Sequence, residues 1–362
     1  MIAITGGGTG GHIFPIVAVV QELRERGFND FIWIGQKGGK EEGWAKRIGV
    51  SFKGIPSGKL RRYFSLKNFL DLFKIFAGFI KSLLILRRYN IDILFSKGGF
   101  VSVPPVIAAR IYGIPVATHE SDITPGLANR INSKFSKIIF LSFEETKRYF
   151  KNCRTSLTGN PIRSIIRNGN ADKGKRFLSS FLDLDEKLPL ILVLGGSLGA
   201  KSINKAIWDM VNKHELDFYL IHQCGSGNMN NNISNTNRKK YLQIEFIEEE
   251  MGDVLNASNL IVSRAGAGAI YEIGYAEKPA IFIPLPLSGS RGEQIKNAYY
   301  LKKMNAAEVL DDEKLNGDVL YKMIKNLLSN PGLMNKMAYN FKSLIIEDAE
   351  KRIADEIVSF IK

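Results

Sequence analysis

Short, almost wholly apolar runs alternate along the chain with longer segments whose apolar residues recur every three or four positions. Met1–Thr5, Phe31–Ile34, Ile93–Phe95, Val116–His119 and Lys137–Leu141 read as buried strands, each beside helix-like sequence. That alternation predicts a parallel sheet with crossover helices. The pattern then restarts with Leu190–Leu194, Phe218–His222, Gln243–Phe246, Leu260–Ser263 and Ala280–Pro284. Two successive sheets, each with glycines after its first strand, predict two α/β domains of similar architecture without a sequence repeat. The stretch between Pro161 and Pro189 is polar, holds Gly169 and Gly174 and lacks a buried-strand signal, so the boundary is expected there.

Composition agrees with this. At 362 residues the chain exceeds the usual domain of about 150 residues. Its 45% hydrophobic and 24% charged content, with 34 Gly and 12 Pro, excludes a collagen-like or wholly disordered chain. Cys153 and Cys224 cannot build a disulfide framework or a four-ligand zinc site, and both are expected reduced. Met1-Ile2-Ala3-Ile4 runs directly into glycines, without the basic and long apolar regions of a signal peptide. No stretch reaches the roughly 18 apolar residues of a spanning helix. The nearest, Phe69 to Leu86, is broken by Asp71, Lys74 and Lys81, which leaves a surface-lying helix open.

The charge is lopsided. Residues 1–163 carry 25 Lys+Arg against 11 Asp+Glu, the whole of the +14; the remainder balances at 25 against 25. One half therefore faces something anionic: nucleic acid, anionic lipid or a phosphorylated substrate.

Four glycine-rich turns follow strands. The first, Gly6-Gly7-Gly8-Thr9-Gly10-Gly11-His12, satisfies G-x-G-x-x-G and opens a helix, where backbone can approach an anion. A dinucleotide fold also wants an acid ending its second strand, but that strand ends in Gly35-Gln36-Lys37. A tight turn without ligand remains the plain alternative, although so many glycines are entropically costly for a turn alone. The others are Lys97-Gly98-Gly99-Phe100-Val101-Ser102, Gly195-Gly196-Ser197-Leu198-Gly199-Ala200 and Arg264-Ala265-Gly266-Ala267-Gly268-Ala269. None has P-loop spacing. Ligands of open α/β sheets bind at strand C-termini, so these turns are the candidate site.

The run Gly7-Gly8-Thr9-Gly10-Gly11-His12-Ile13-Phe14-Pro15 resembles the MurG family, the N-acetylglucosaminyltransferases that convert lipid I to lipid II in peptidoglycan synthesis. The likeness continues in order through Gly98–Ser102, His119-Glu120, Gly159–Arg163, Gly195–Ala200, His222-Gln223, Arg264–Ala267, Glu272-Ile273 and Gln294 with Asn297-Ala298. It implies an α/β fold of the GT-B type, two Rossmann-like domains with parallel sheets facing a cleft. Residues 1–163 would take the acceptor and the membrane, 164–340 the donor UDP-N-acetylglucosamine, and a last helix, 341–362, would pack back onto the first domain. It implies inverting, metal-independent transfer without a cofactor, at the cytoplasmic face of the plasma membrane, in cell-wall biogenesis, cell shape and division. Lipid I, an anionic membrane surface and other cell-wall synthesis proteins would be the partners. A related GT-B synthase acting on diacylglycerol is the alternative enzyme.

Carried over by position, the resemblance assigns donor contacts to Thr9, Gly10, Gly11, Arg163, Ser197, Ile247, Ala267, Glu272 and Gln294. Acceptor contacts fall to His12, Gly98, Gly99, Phe100, Ser102, His119 and Glu120. Gly195, Gly196 and Ser197 and the Arg264–Ala269 turn suit a leaving diphosphate, which backbone N–H groups and a helix dipole stabilise. Glu272 would hold ribose hydroxyls, Gln294 the sugar, and Phe246-Ile247 the uracil. The family usually has an amide pair where this chain has Glu293-Gln294. His12, at a helix head, suits a general base because that position favours the neutral imidazole; orienting the acceptor diphosphate is the equal alternative. The family usually follows His-Glu with Gln-Asn; here Ser121-Asp122 follows, so Asp122 is the second candidate base.

Other readings carry less. Asp183-Leu184-Asp185 imitates a metal-binding D-x-D but lies in the interdomain segment, where a solvated loop is expected. His12, His119, His214 and His222 show no metal-ligand spacing. No helix-turn-helix, RRM or zinc-finger signature supports nucleic acid as a partner. Residues 59–88 account for part of the charge. Lys59, Arg61 and Arg62 precede a helix in which Lys67, Lys74, Lys81 and Arg88 recur every seven residues, spanning only about 60°. Phe69, Leu72, Phe73, Phe76, Phe79, Ile80 and Leu83 form the wide apolar face. That face is expected to pack on the sheet for the most part, and in part to meet the membrane.

Overall fold

The computed structural model describes residues 1–58, 66–196, 199–233 and 235–361. The chain forms two compact units, Met1–Arg163 with Ile346–Lys362, and Ser164–Ile345.

The first unit is built on β1 (Ile2–Thr5), β2 (Phe31–Gln36), β3 (Ser51–Ile55), β4 (Ile93–Ser96), β5 (Val116–Glu120), β6 (Ile138–Leu141) and β7 (Thr155–Leu157). They form one parallel sheet in the order β3-β2-β1-β4-β5-β6-β7. Ile2 is aligned with both Phe31 and Ile93, so β1 lies at the centre. The second unit holds β8 (Leu190–Leu194), β9 (Tyr219–Gln223), β10 (Tyr241–Ile244), β11 (Leu260–Ser263), β12 (Ala280–Phe282) and β13 (Glu308–Val309). Its order is β10-β9-β8-β11-β12-β13, again parallel. In both, the chain reverses direction across the sheet beside the first strand, which is a topological switch point.

The inner strands read as continuous apolar runs because both faces of a parallel sheet are covered. Alternate residues serve opposite faces. Ile2, Ile4, Phe31 and Trp33 join Ile16 and Val20 of helix Gly10–Glu25 in one core. Ala3, Ile32 and Ile34 join Leu86 and Val106 in the other. Strands β3, β7 and β13 were not expected from the sequence. Each is an edge strand: β3 and β7 are mostly half-exposed, and β13 has two residues. Strand β10 starts at Tyr241, upstream of the expected Gln243, because Tyr241 rather than Phe246 belongs to the buried core.

The return to the first unit begins at Ile346, not at Phe341. Phe341 is fully buried in the second unit, where its ring meets Phe282 edge-on at 5.9 Å. The returning helix, Ala349–Val358, places Ile353, Ala354 and Ile357 in the first core. Gly159 makes room for it: its φ is +85°, and an added Cβ would come within 2.7 Å of the Ile346 carbonyl.

Ile357 is fully buried against an element some 330 residues away in sequence, since helix Gly10–Glu25 faces it. Ile357→Ala is expected to destabilise the first unit by about 2–5 kcal/mol. Hydrogen exchange should accelerate in β1 and β2 while β8 and β9 keep their protection; unchanged exchange in β1 would refute the packing role.

Candidate active site

The loops that follow β1, β4 and β5 leave the same edge of the first sheet, because all its strands are parallel. The first loop is tied down by Trp33 and Glu41. Trp33 Nε1 donates to the Gly6 carbonyl at 3.0 Å. The buried Glu41 carboxylate accepts the Gly8 N–H at 3.1 Å and the Gln36 N–H at 2.8 Å. A Cβ on Gly7 would lie 2.3 Å from that carboxylate. Glu41 therefore fills the space on this side of the loop and fixes its backbone. Sequence reasoning passed over Glu41; its only signal is an acid in the first turn of helix Lys40–Arg47.

The other side of the loop carries Thr9, Gly10, Gly11 and His12. Helix Gly10–Glu25 has no side-chain cap at its N-terminus. Its head therefore offers free N–H capacity and a positive dipole end. Thr9 Oγ1 and His12 Nδ1 lie 3.0 Å apart. The second loop comes up beside them. Gly98 and Gly99 both have positive φ, and a Cβ on Gly99 would stand 3.0 Å from the Gly7 carbonyl and 3.8 Å from His12 Nδ1. Two glycine loops and one imidazole are thus brought together. Burial and the nearby Lys97 charge pull His12 down to a pKa of about 4, so its ring is neutral at physiological pH. Phe14 packs edge-on against Trp44 at 5.1 Å, and the Arg163 guanidinium lies 5.0 Å above the Phe14 ring.

Three expected acceptor contacts have buried side chains with internal bonds. His119 is fully buried, its Nε2 donating to the Gly159 carbonyl at 2.8 Å, and burial with the Lys97 charge keeps it neutral. Glu120 accepts N–H groups of Asp122 at 3.0 Å and Gly126 at 3.2 Å, and the Asn129 amide at 2.9 Å. Ser102 donates to the Gly99 carbonyl at 2.7 Å and accepts from Asn132 at 2.8 Å. These bonds tie the three side chains to their own loops, and His119 Nδ1 is buried with no hydrogen-bond partner. Phe100 and Asp122 are half-buried. Lys97, only 1% exposed, went unassigned in the sequence; a lysine directly after an apolar strand was the signal.

In the second unit, Gly195, Gly196 and Gly199 are described, while Ser197 lies outside the described residues. Gly199 has φ +74°, and a Cβ there would collide with the Cys224 carbonyl at 2.1 Å. Asn204 fixes the same carbonyl at 2.8 Å and meets His222 Nε2 at 3.0 Å, while His222 Nδ1 meets the Tyr241 hydroxyl at 2.9 Å. Gln223 Oε1 accepts the Ile247 N–H at 3.0 Å. That N–H is already used, and the Ile247 side chain is buried, so neither is open to a base.

The fourth loop is pinned by Arg264, whose guanidinium meets Asp312 at 2.6 Å, Ser202 at 2.7 Å and the Ile283 carbonyl at 3.0 Å. Helix Ala267–Tyr275 begins there without a side-chain cap and carries Glu272, half-buried, on its second turn. Gln294 accepts the Leu285 N–H at 3.1 Å, and its amide nitrogen lies beside Gly266. Glu293 accepts the Arg291 N–H at 2.9 Å. That bond ties Glu293 to the turn before helix Glu293–Lys303 rather than capping the helix, and nothing in it requires an acid in place of the usual amide. Asp183 and Asp185 lie exposed in a loop, and among the described residues no group of His, Cys, Asp or Glu could hold a metal ion.

Residues 2–141 match the glycosyltransferase family 28 N-terminal domain, and residues 190–353 match its C-terminal domain. The UDP-N-acetylglucosamine–N-acetylmuramyl-(pentapeptide) pyrophosphoryl-undecaprenol N-acetylglucosamine transferase of Borrelia turicatae is 44% identical over 98% of this chain and 95% of its own. The transferase of the same name from Treponema denticola is 41% identical, covering 99% and 97%. Among solved structures, Acinetobacter baumannii MurG superposes with a TM-score of 0.78 at 24% identity, covering 99% of each chain. The UDP-GlcNAc 2-epimerase of Neisseria meningitidis, bound to UDP-GlcNAc, gives 0.69 at 16% identity. The structural likenesses define the fold as GT-B.

Proposed function

The chain belongs to glycosyltransferase family 28, among the N-acetylglucosamine transferases of peptidoglycan synthesis, and from that premise we propose how its residues share the reaction. It transfers N-acetylglucosamine from UDP-N-acetylglucosamine to lipid I, giving lipid II. The observation that carries this is 44% identity with a transferase of that name along nearly the whole of both chains.

The donor belongs to the second unit. The Gly196 backbone N–H and the uncapped head of helix Ala267–Tyr275 suit the diphosphate. Ala267 begins that helix, Glu272 on its second turn takes the ribose hydroxyls, and Gln294 beside Gly266 takes the sugar. The acceptor belongs to the first unit, at the head of helix Gly10–Glu25 and the Gly98-Gly99 turn. The acceptor hydroxyl attacks the anomeric carbon as its bond to the UDP oxygen breaks, and the hydroxyl proton passes to a base. His12 fits: with Nδ1–H donating to Thr9 Oγ1, Nε2 keeps a lone pair for that proton. Asp122 is the second candidate. The Arg163 guanidinium lies over the Phe14 ring within the first unit.

A membrane-facing surface accompanies the acceptor role. Helix Leu66–Arg88 divides its apolar residues differently from the expected single face. Phe79, Leu83 and Leu86 pack inward, while Leu72, Phe73, Phe76, Ile80 and Leu84 are exposed, Phe76 by 63%. Lys74, Lys81 and Arg88 are exposed on the same helix. An exposed apolar stripe flanked by bases suits an anionic leaflet, where each base contributes about 1 kcal/mol. No helix among the described residues is long and apolar enough to cross a membrane. We place the enzyme peripherally, at the cytoplasmic leaflet. Lys67 and Phe69 lie where side chains are not described, and Lys59, Arg61 and Arg62 lie outside the described residues.

Incubation with UDP-N-acetylglucosamine and either lipid I or diacylglycerol should yield lipid II only; glycosylated diacylglycerol with untouched lipid I would reject the reading. His12→Ala should lower kcat by about 100-fold or more. A small loss, with a large one in Asp122→Asn, would move the base to Asp122. Phe73→Asp with Phe76→Asp should abolish sedimentation with anionic vesicles while leaving thermal stability unchanged, since both rings are mostly in solvent; undiminished sedimentation would move the docking surface elsewhere.

A further inference from the structure

Lys97 directly follows β4 and directly precedes the Gly98-Gly99 turn. Its N–H donates to the Thr5 carbonyl at 2.9 Å, and its Cβ packs against Gly6. Its ammonium donates to Ser121 Oγ, which donates onward to Asn160 Oδ1 at 3.2 Å. The titratable groups around it come from three elements: His119 and Glu120 on β5, Asp122 on the following loop, and His12 on helix Gly10–Glu25.

A buried ammonium is costly to keep, and a methionine fills almost the same volume without that cost. Packing therefore does not explain the lysine. The electrostatics do. Glu120 and Asp122 put two acids behind a surface that must admit an anion; burial and the Asp122 charge push Glu120 up to about 7, and the negative charge the pair carries would repel an anion. We propose that Lys97 is a positioning residue for the sugar acceptor: its ammonium offsets the Glu120–Asp122 carboxylates behind the first two glycine loops, admits a diphosphate-bearing acceptor, and keeps the neighbouring base unprotonated. This rests on the assignment of the acceptor to the first unit. Burial lowers Lys97 to a pKa of about 8 although both carboxylates oppose the shift, so the cation is present at neutral pH and is lost above that. His12 is held unprotonated in part by this charge. A cation lowers the pKa of an imidazole and of a carboxylate alike, and removing it raises both.

The test compares pH profiles of the wild type, Lys97→Arg and Lys97→Met with lipid I and UDP-N-acetylglucosamine. The wild type should lose activity on the alkaline side near pH 8. Lys97→Arg, whose guanidinium does not titrate there, should keep activity and extend the plateau upward. Lys97→Met should raise the acceptor KM, leave the donor KM unchanged, and move the acidic limb up by about one unit or more. An alkaline limb identical in the wild type and Lys97→Arg overturns the proposal, and that arm remains if Lys97→Met does not fold. NMR titration of His12 needs no substrate. Its pKa should rise by about one unit or more in Lys97→Met; no rise overturns the proposal even if the wild type transfers sugar. Absence of transfer by the wild type, with the His12 shift present, counts against the functional reading instead.

Discussion

Parallel pairing governs this molecule. Each strand of a parallel sheet enters and leaves in the same sense as its neighbours, so every loop after a strand emerges at one edge. In the first unit that edge gathers the loops after β1, β4 and β5, which are far apart in sequence. In the second it gathers those after β8, β9, β11 and β12. The close approach of Gly99 to the Gly7 carbonyl, and of Gly199 to the Cys224 carbonyl, follows from that convergence. Backbones crowd where side chains would not fit, and crowded backbone supplies N–H groups that can meet a phosphate without a metal.

Convergence also buries polar groups, and each must be answered. Glu41 answers the Gly8 and Gln36 N–H groups, Asn129 and the Gly126 N–H answer Glu120, and Arg264 answers Asp312 with Ser202. These contacts lie next to the candidate ligand positions rather than in them. They set the loop shapes, while Thr9, His12 and the uncapped helix heads keep unused capacity. The division between groups already satisfied and groups still open separates the supporting residues from those that meet substrate.

Much of this was legible in the sequence. The inner strands stood out because both faces of a parallel sheet demand apolar residues without interruption. The four glycine turns stood out because each follows such a strand. Edge strands β3, β7 and β13 did not, since they are short or half-exposed and lack that signature. The wide apolar face of helix Leu66–Arg88 was visible, but periodicity alone could not divide it into Phe79 and Leu83 within and Phe73 and Phe76 without. That division depends on where helix Val103–Ile111 packs. His119, Glu120 and Ser102 were placed by motif, and a motif does not say whether a side chain points to ligand or to its own loop. Glu41 and Lys97 carry no motif; only the fold gives them neighbours.

The positive charge of the first unit is therefore of two kinds. Lys74, Lys81 and Arg88 are exposed beside apolar side chains, and charges in water act over about 8–10 Å at physiological salt. They can draw the unit to an anionic surface but cannot tune a reacting group. Lys97 is shut away from water, where screening is weak, and it acts on four titratable neighbours at once. Its charge is offset locally by Glu120 and Asp122, so it adds little to the outward field. A lipid-borne acceptor needs both: an outward field to bring the unit to its substrate, and an internal balance that lets an anion stay. The second unit, whose donor arrives from solution, needs neither, and its near balance of 22 Lys+Arg against 20 Asp+Glu over residues 164–345 is consistent with that.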